Sequence, residues 1–506
     1  MAQEIELKLL LPGLSGAQAL QALRRTPVLA RRPLQQVQLW NRYYDTPDHA
    51  LRQQSAALRL RRVQSSGSGQ AVRTQWLQTL KTAGSGSALS QRGEWEQAVR
   101  SGRPDAQALP EGPWQALDPT GTVWPALVLC FETRCQRTLW RVRPRAGVLI
   151  EVALDVGTVR AQGRSVPLVE LELELLQGPA EALFDLAQAL GQTLPLLPSP
   201  VSKAERGYAL ASGQAAAPHK ARPPALCKAD APAQVAPLLL DEVLNQLLRN
   251  LDGLRQGDAP EWTHQARVAW RRWRSLVRLL GPWLPALPAQ RSALQPLWQD
   301  LGALRDLDVC LHDTLPRWLD AYQQAAPSPT QQAQRARDAR RALRRLQQAR
   351  QAARAAARQA LCQPGTGQAL LALLAWWQGL PAAMAAQPPE ALRDWALPRL
   401  ERWHRRLLRQ VQASTAPGGN PLGLHAARLL AKRLRYAAEA VASGLPAKAG
   451  KRVRAWAGEG LAWQTHIGTL RDLDQCAQLL QAHGAAPALV GFVQGVALGW
   501  DQAGRT

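Results

Sequence analysis

Glu4, Glu6 and Lys8 alternate with Ile5, Leu7 and Leu9 near the start of a 506-residue chain. In an extended strand, residues i and i+2 share a face. Two carboxylates and an ammonium therefore line one side, and three aliphatic side chains line the other. The division recurs downstream: Arg59 and Arg61 against Leu58 and Leu60, Glu94 and Glu96 around Trp95, and Glu170, Glu172 and Glu174 against Leu171 and Leu173. Paired carboxylates supply hard oxygen donors for Mg²⁺ or Mn²⁺, and Arg and Lys match phosphate oxygens. Taken strand by strand, this is an ordinary sheet with one solvated, charged face. Rows of a single sign in several strands suggest more. A closed antiparallel barrel turns such rows inward and the apolar rows toward covering helices. A tunnel lined this way suits a metal-bound oligophosphate.

A second chemistry-bearing pattern lies in the C-terminal half. At about 100° per residue, His264, Arg267, Arg271, Arg274 and Arg278 form one narrow helical stripe, and His425, Arg428, Lys432 and Arg435 repeat it. Arg272 and Arg433 point elsewhere. Each copy is followed by a second match, Leu304-Arg305-Asp306-Leu307-Asp308 and Leu470-Arg471-Asp472-Leu473-Asp474, so the region is an internal duplication. A basic run is ordinarily a solvated helix face. These stripes exclude acids and keep their histidine, and crowded like charge destabilises a helix without an anion. A polyanion-binding groove is the better reading, with each histidine a hydrogen-bond donor to phosphate. The Arg-Asp-x-Asp segments either orient arginines by ion pairing or form helix-end structure. A further run, Arg335 to Arg358, holds nine arginines and one acid, Asp338, spread around a helix. It either widens the electrostatic footprint or confers solubility.

The elements that must position these groups divide the chain. Short alternating segments predict strands in the N-terminal part. Long Ala/Leu/Arg/Gln stretches predict helices in the C-terminal part. Between them, residues 212–237 are rich in Ala and Pro and read as a linker. The expected organisation is α+β: a closed antiparallel barrel with flanking helices over 1–211, then an all-α domain over 238–506 with repeats at about 238–365 and 366–506. Net charge is +24, and residues 1–219 carry only +6 of it, with 24 basic against 18 acidic residues. Such an excess calls for a polyanion. Only 3 Phe and 5 Tyr argue against RNA binding by base stacking. Six cysteines without CxxC spacing read as reduced thiols. The acidic start lacks the pattern of a signal peptide, and the longest apolar run, Ala369 to Trp377, is too short for a membrane span. The expected location is the cytoplasm, with association to polyphosphate granules an option.

The N-terminal pattern resembles the CYTH, or triphosphate tunnel metalloenzyme, superfamily. Glu4-x-Glu6-x-Lys8 is similar to its ExExK signature. The likeness continues through Tyr43-Tyr44-Asp45-Thr46, Leu58-Arg59-Leu60-Arg61, Thr79-Leu80-Lys81, Gln91-Arg92-Gly93-Glu94, Arg137-x-x-Trp140, Ile150 to Asp155, Glu170 to Glu174 and Ser202 to Tyr208. The resemblance implies that Glu4, Glu6, Glu170 and Glu172 hold a divalent metal, Mg²⁺ or Mn²⁺. Lys8, Arg59, Arg61, Arg137 and Lys203 would grip phosphates, with Arg92 and Arg134 as further candidates. Glu94, Glu96 and Asp155 would bind a second metal or orient the basic residues, and Lys81 would position or deprotonate water. Lys8, Arg59, Arg61 and Lys81 are thus the expected catalytic residues. The expected reaction is hydrolysis of inorganic triphosphate to phosphate and pyrophosphate. An organic triphosphate, as in the superfamily's adenylate cyclases and thiamine triphosphatases, is the alternative.

The duplicated region resembles the CHAD domain, a helical domain of two pseudo-symmetric halves that often follows CYTH and binds inorganic polyphosphate. The expected partners are inorganic triphosphate and polyphosphate, with no membrane and nucleic acid disfavoured. A non-catalytic polyphosphate-binding or targeting protein is the rival from another class.

Overall fold

The structure is a computed structural model and describes residues 3–65, 73–85, 89–213, 217–388, 390–415 and 421–503. It contains two compact units: residues 1–218 with 288–293 and 361–376, and residues 219–287, 294–360 and 377–506. The segment 361–376, expected in the helical domain, belongs to the first unit. There Gly367 lies so near Leu196 that a Cβ would fall 2.0 Å from its carbonyl oxygen.

The first unit is built on β1 (Gln3–Leu10), β2 (Leu34–Asp45), β3 (Ala57–Ser65), β4 (Arg73–Ser85), β5 (Leu89–Val99), β6 (Val128–Val142), β7 (Leu149–Ala161) and β8 (Arg164–Gln177). Strands β2 to β5 pair in sequence, as do β6 to β8. β2 also pairs β6, and β1 pairs both β8 and β5, which closes an eight-stranded antiparallel barrel. A two-residue strand, β9 (Leu197–Pro198), extends the end of β1. Closure follows from the N-terminal strand, which bridges the two free edges and leaves neither exposed.

Paired residues share a face, and the register gathers the charged rows. Lys8 lies opposite Glu172, Glu4 opposite Arg92, Lys81 opposite Glu94, Arg59 opposite Thr79, Arg137 opposite Asp155 and Asp155 opposite Glu170. These residues line the interior. The alternate leucines, Leu7, Leu9, Leu58, Leu60, Leu171 and Leu173, are wholly buried on the outer face, each contributing roughly 1.5–3 kcal/mol by leaving water. The flanking helices are α1 (Gly16–Arg25), α2 (Ala50–Gln53), α3 (Glu111–Leu117), α4 (Glu181–Gly191) and α5 (Lys203–Ala211). Leu58 and Leu80 pack with Leu51 and Leu117 from α2 and α3.

One helix is positioned with particular care. α5 begins at a Ser202–Glu205 capping box and packs on β6 and β7. A Cβ at Gly207 would sit 2.0 Å from the Phe131 ring, so only glycine lets the helix lie this close. The Tyr208 hydroxyl donates to Asp45 Oδ2 at 2.8 Å. These contacts fix the first helical residue, Lys203, at the barrel.

The second unit is helical: α6 (Pro232–Gln256), α7 (Pro260–Leu280), α8 (Gln295–Val309), α9 (Pro316–Gln324), α10 (Pro329–Leu361), α11 (Pro364–Gln378, largely in the first unit), α12 (Leu380–Met384), α13 (Leu392–Thr415), α14 (Pro421–Val441), α15 (Ala447–Ala482) and α16 (Pro487–Ala503). Residues 232–237, expected as linker, are the first turns of α6. Pro232 occupies the first turn, where a missing N–H costs nothing. Duplication shows in the packing, with α6 against α7, α13 against α14, and α7 against α14. Cys310, which opens a π-helical turn after α8, meets its duplicate Cys476 of α15 at 3.2 Å between sulfurs, both buried. Among the described residues, no helix is long and apolar enough to cross a membrane.

Three arginines of the basic helix α10 serve its packing. Arg354 and Arg358 donate to the carbonyls of Asp258 and of Leu254 and Gly257, at the C-terminal end of α6, and Arg350 pairs with buried Asp308 at 2.5 Å. Cations there complement the helix dipole and its open carbonyls.

Candidate active site and a candidate polyanion cleft

The barrel interior holds two sets of ion pairs. Lys8 Nζ lies 2.6 Å from Glu6 Oε1. Arg92 joins Glu4 at 3.0 Å and also contacts Glu6. Lys81 bridges Glu4 and Glu94, both at 2.9 Å. Arg59 reaches Glu94 and Glu96 at 3.4 and 3.3 Å and donates to Thr79, which in turn donates to Glu96 at 2.8 Å. Across the barrel, Arg137 grips Asp155 through two nitrogens, each at 2.7 Å, and also Glu172. Lys203 reaches Glu170, Glu172 and Asp155 at 2.5 to 2.9 Å.

Two cations stand out. Arg61 makes no ion pair among the described residues. Its Nε donates to Asn41 Oδ1 at 2.8 Å, and Asn41 donates to Thr133. Burial, then Arg59 and Arg137, lower its pKa. Burial, then Arg92 and Arg59, also lower that of Lys81, against the pull of Glu4 and Glu6. Burial thus disfavours the charged form of both, and Arg61 has no carboxylate partner against it.

The carboxylates divide as well. Burial alone would raise Glu172 and Asp155, but Arg137 and Lys203 outweigh it and hold both below the usual range, Glu172 well below. Lys8, supported by Arg92 and Lys81, does the same for Glu6, and Lys81 holds Glu94 at about 2. Glu174 is the opposite case. Burial, and then Glu4, Glu151, Glu6 and Glu94, push it up to about 7. Negative charge is therefore in local excess around Glu174. Among the described residues, no three metal-binding side chains are gathered into a preformed site, because cations lie between the carboxylates.

Of the residues expected in the tunnel, all but one are there. Arg134 is on the outside. It lies three residues from Arg137, and an odd step along a strand changes face. Its guanidinium is half-exposed, 4.7 Å above the Trp40 ring and 3.3 Å from Glu132. Asn41, Thr79, Thr133 and Glu174 complete the lining. Cross-strand register finds the first three, and the period-2 row from Glu170 already contains the fourth.

The helical unit gathers cations with far fewer acids. Arg267 and Arg271 of α7, Arg428 and Lys432 of α14, and Arg305 and Arg471 of α8 and α15 interact as one cluster. Burial, then Arg271, Arg428 and Arg471, lower Lys432 to about 7. Burial and neighbouring arginines also lower Arg267 and Arg428. Burial and Arg305 bring His264 to about 4, so at neutral pH it is an uncharged donor. Asp306 and Asp472 face into the cluster, and Asp308 serves structure through Arg350. The second segment, 471–474, lies within α15 rather than at a helix end.

Two duplicate glycines make room. A Cβ at Gly302 would lie 3.3 Å from Arg267, and one at Gly468 3.9 Å from Arg428. The repeated Gly-x-Leu-Arg-Asp-Leu-Asp pattern contains that signal. The stripes do not converge whole. Arg274 and Arg278 act instead on Arg433, as does Arg406, and Arg435 is engaged by Glu439 at 3.6 Å and by the Tyr436 ring. The His425 side chain lies outside the described residues.

The first unit is a barrel whose interior pairs acidic rows with basic ones, and the second is a duplicated helical unit with a cationic cluster. A CYTH domain model matches residues 2–208 and a CHAD domain model matches residues 238–481. The chain thus carries a CYTH domain followed by a CHAD domain. Over 217 residues it is 35% identical to an inorganic triphosphatase of Haemophilus influenzae, a match covering 42% of this chain and 56% of that protein. The chain thus spans a little over half the length of that curated relative. Among solved structures, the CHAD domain of Ricinus communis matches 57% of the chain and 93% of its own length at 28% identity and TM-score 0.47. A Hippeastrum protein, described as an adenylyl cyclase candidate with a dominant triphosphatase activity, matches 42% and 97% at 21% identity and TM-score 0.28.

Proposed function

We propose that the barrel hydrolyses inorganic triphosphate to phosphate and pyrophosphate with a divalent metal, and that the helical cluster binds inorganic polyphosphate. The observation that carries the first reading is the paired interior. A triphosphate with its metal is itself a set of paired charges, and can enter by exchanging partners with the wall. Lys8, Arg59, Arg61, Arg137, Lys203 and Arg92 would hold phosphate oxygens, Arg61 most readily because it has no carboxylate to give up.

The carboxylates would hold the cation. The donor set is oxygen only, as Mg²⁺ or Mn²⁺ requires, and the negative excess recorded by Glu174 is one that a divalent ion would relieve. Glu4, Glu6, Glu170 and Glu172 are the assigned ligands, with Glu94, Glu96 and Asp155 holding a second ion or orienting the arginines. A metal there supplies neutralisation of the charge that develops on the phosphate oxygens. Hydrolysis then needs an in-line water and a fixed field. Lys81, whose protonated form burial disfavours, is placed to orient that water or to take its proton at Nζ.

For the helical cluster, the depressed Lys432, Arg267 and Arg428 support a polyanion ligand. A flexible polymer of phosphates suits such a cluster without metal.

The test is a substrate panel: tripolyphosphate, ATP, thiamine triphosphate and long-chain polyphosphate, each with and without Mg²⁺ or Mn²⁺. Phosphate released fastest from tripolyphosphate, and only with metal, is expected. Preference for either organic triphosphate would reassign the substrate. No release from any, with polyphosphate still bound, would leave a binding protein.

A further inference from the structure

The duplication of the helical unit allows each contact to be compared with its equivalent in the other copy. His264 and His425 correspond, so Arg272 corresponds to Arg433, and Arg278 to Glu439. In the structure, Arg272 faces Glu439 across α7 and α14 at 3.8 Å. At the equivalent place Arg433 feels the charge of Arg278 instead. One copy has an ion pair where the other has two guanidinium groups.

The neighbours deepen the asymmetry. Arg435 pairs with Glu439 along α14, and its equivalent, Arg274, lies one turn from Arg278. Arg406 of α13 approaches Arg433 as well, and its equivalent on α6 is the uncharged Asn245. Burial, and then Arg278, Arg406 and Arg274, lower the pKa of Arg433, with no acid acting against them. None of the four arginines makes an ion pair among the described residues. Arg274, Arg278 and Arg406 are exposed, while Arg433 is half-buried over the Trp403 ring at 5.8 Å. A solvated basic face has no reason to converge from three helices on a partly buried guanidinium, nor to replace the one acid that its duplicate retains.

We propose that Arg274, Arg278, Arg406 and Arg433 form a second polyanion site, built on one copy only, that takes a further stretch of a phosphate polymer already seated in the central cluster. The proposal rests on the polyphosphate reading above. The two sites follow one another along α7: Arg267 and Arg271 belong to the first, Arg274 and Arg278 to the second. At ~1.5 Å per residue, Arg267 to Arg278 spans roughly 16 Å, longer than three phosphates joined by two anhydride oxygens. The second site therefore gives chain-length selectivity. A short oligophosphate fills the central cluster alone, and a long chain engages both.

The pseudo-symmetry also supplies the experiment. Arg278→Glu recreates opposite Arg433 the ion pair of the other copy, and Glu439→Arg creates in that copy the like-charged contact seen here. Affinity for long-chain polyphosphate and for tripolyphosphate would be measured without divalent metal across a salt series, on the full chain carrying Lys8→Ala to disable the barrel, with folding checked by circular dichroism. Arg278→Glu is expected to weaken long-chain binding roughly tenfold, the scale of one charged hydrogen bond. It should lower the salt slope by about one or more, and leave binding of the short oligophosphate to the cluster unchanged. Glu439→Arg is expected to tighten long-chain binding. Wild-type long-chain affinity and salt slope in a folded Arg278→Glu protein would overturn the second site alone. Loss of long and short binding in equal measure would overturn the separation of the two sites. Failure of the unaltered protein to bind polyphosphate would remove the central cluster and the second site together.

Discussion

The barrel and the helical cluster both gather Arg and Lys, but they hold those cations differently. In the barrel, cations and carboxylates neutralise each other, and Glu6, Asp155, Arg137 and Lys203 all stay in their charged forms despite burial. In the cluster, cations repel cations, and Lys432, Arg267, Arg428 and Arg433 are all shifted toward their neutral forms. A balanced wall tolerates burial and suits a ligand carrying both signs, such as the proposed metal–phosphate complex. An unbalanced wall needs only an anion. The split of the +24 charge follows, because acids offset bases in the barrel interior and far fewer acids do so in the cluster.

The contrast breaks most sharply on Lys8. Lys8→Ala removes the ammonium 2.6 Å from Glu6 and, on the proposed reading, a phosphate ligand. Tripolyphosphate hydrolysis should fall by about 10²–10³, the cost of losing one preorganised charge contact, while polyphosphate affinity stays unchanged. Steady-state kinetics beside a binding titration checks both, and normal turnover would remove Lys8 from the site. Chelation tests the same division without mutation. EDTA should abolish hydrolysis and leave polyphosphate binding intact; a parallel loss of both would tie the cluster to a metal.

The barrel's chemistry was legible because period-2 alternation places side chains without knowledge of the partner strands. Glu4 to Lys8, Arg59 to Arg61 and Glu170 to Glu174 needed only closure to meet. Even the failure at Arg134 was readable, since three residues from Arg137 is an odd step. Register was not readable, so Asn41 as the partner of Arg61 appeared only when β2 was laid against β3 and β6. The stripes on α7 and α14 were legible as stripes. Their division was not, because two straight helices that cross can share only part of their faces. Arg271 meets Lys432 near the crossing, and Arg274 and Arg278 lie beyond it, beside Arg406. The carbonyl-capping role of Arg350, Arg354 and Arg358 depends on where α6 ends, which a pattern within α10 cannot state.

A smaller effect separates the two regions by pH. Lys432 titrates near 7 in the free protein, and a bound polyanion favours its protonated form and raises that value. Binding therefore takes up protons at and above neutrality. Affinity should be greatest below pH 7 and decline as pH rises toward the bound-state pKa, by less than tenfold per unit for a single group. Lys432→Met should flatten this decline and abolish proton uptake, read by calorimetry in buffers of different ionisation enthalpy. Uptake unchanged in the variant would place the titration elsewhere.

The smallest expected effect sharpens the barrel side of the comparison. Glu174, raised to about 7 by burial and the surrounding carboxylates, loses its charge as pH falls through neutrality. The paired acids Glu6, Glu94 and Asp155, held below their usual range, keep theirs. If the negative excess at Glu174 draws in the divalent ion, the metal concentration needed for half-maximal hydrolysis should rise as pH falls below 7. Added metal should in turn shift that limb to lower pH, because a bound cation stabilises the carboxylate. Glu174→Gln should show the raised metal requirement at every pH, by a few-fold, with little change in the rate at saturating metal. A variant that keeps the wild-type pH dependence of metal activation would show that the ion is held by the paired carboxylates alone.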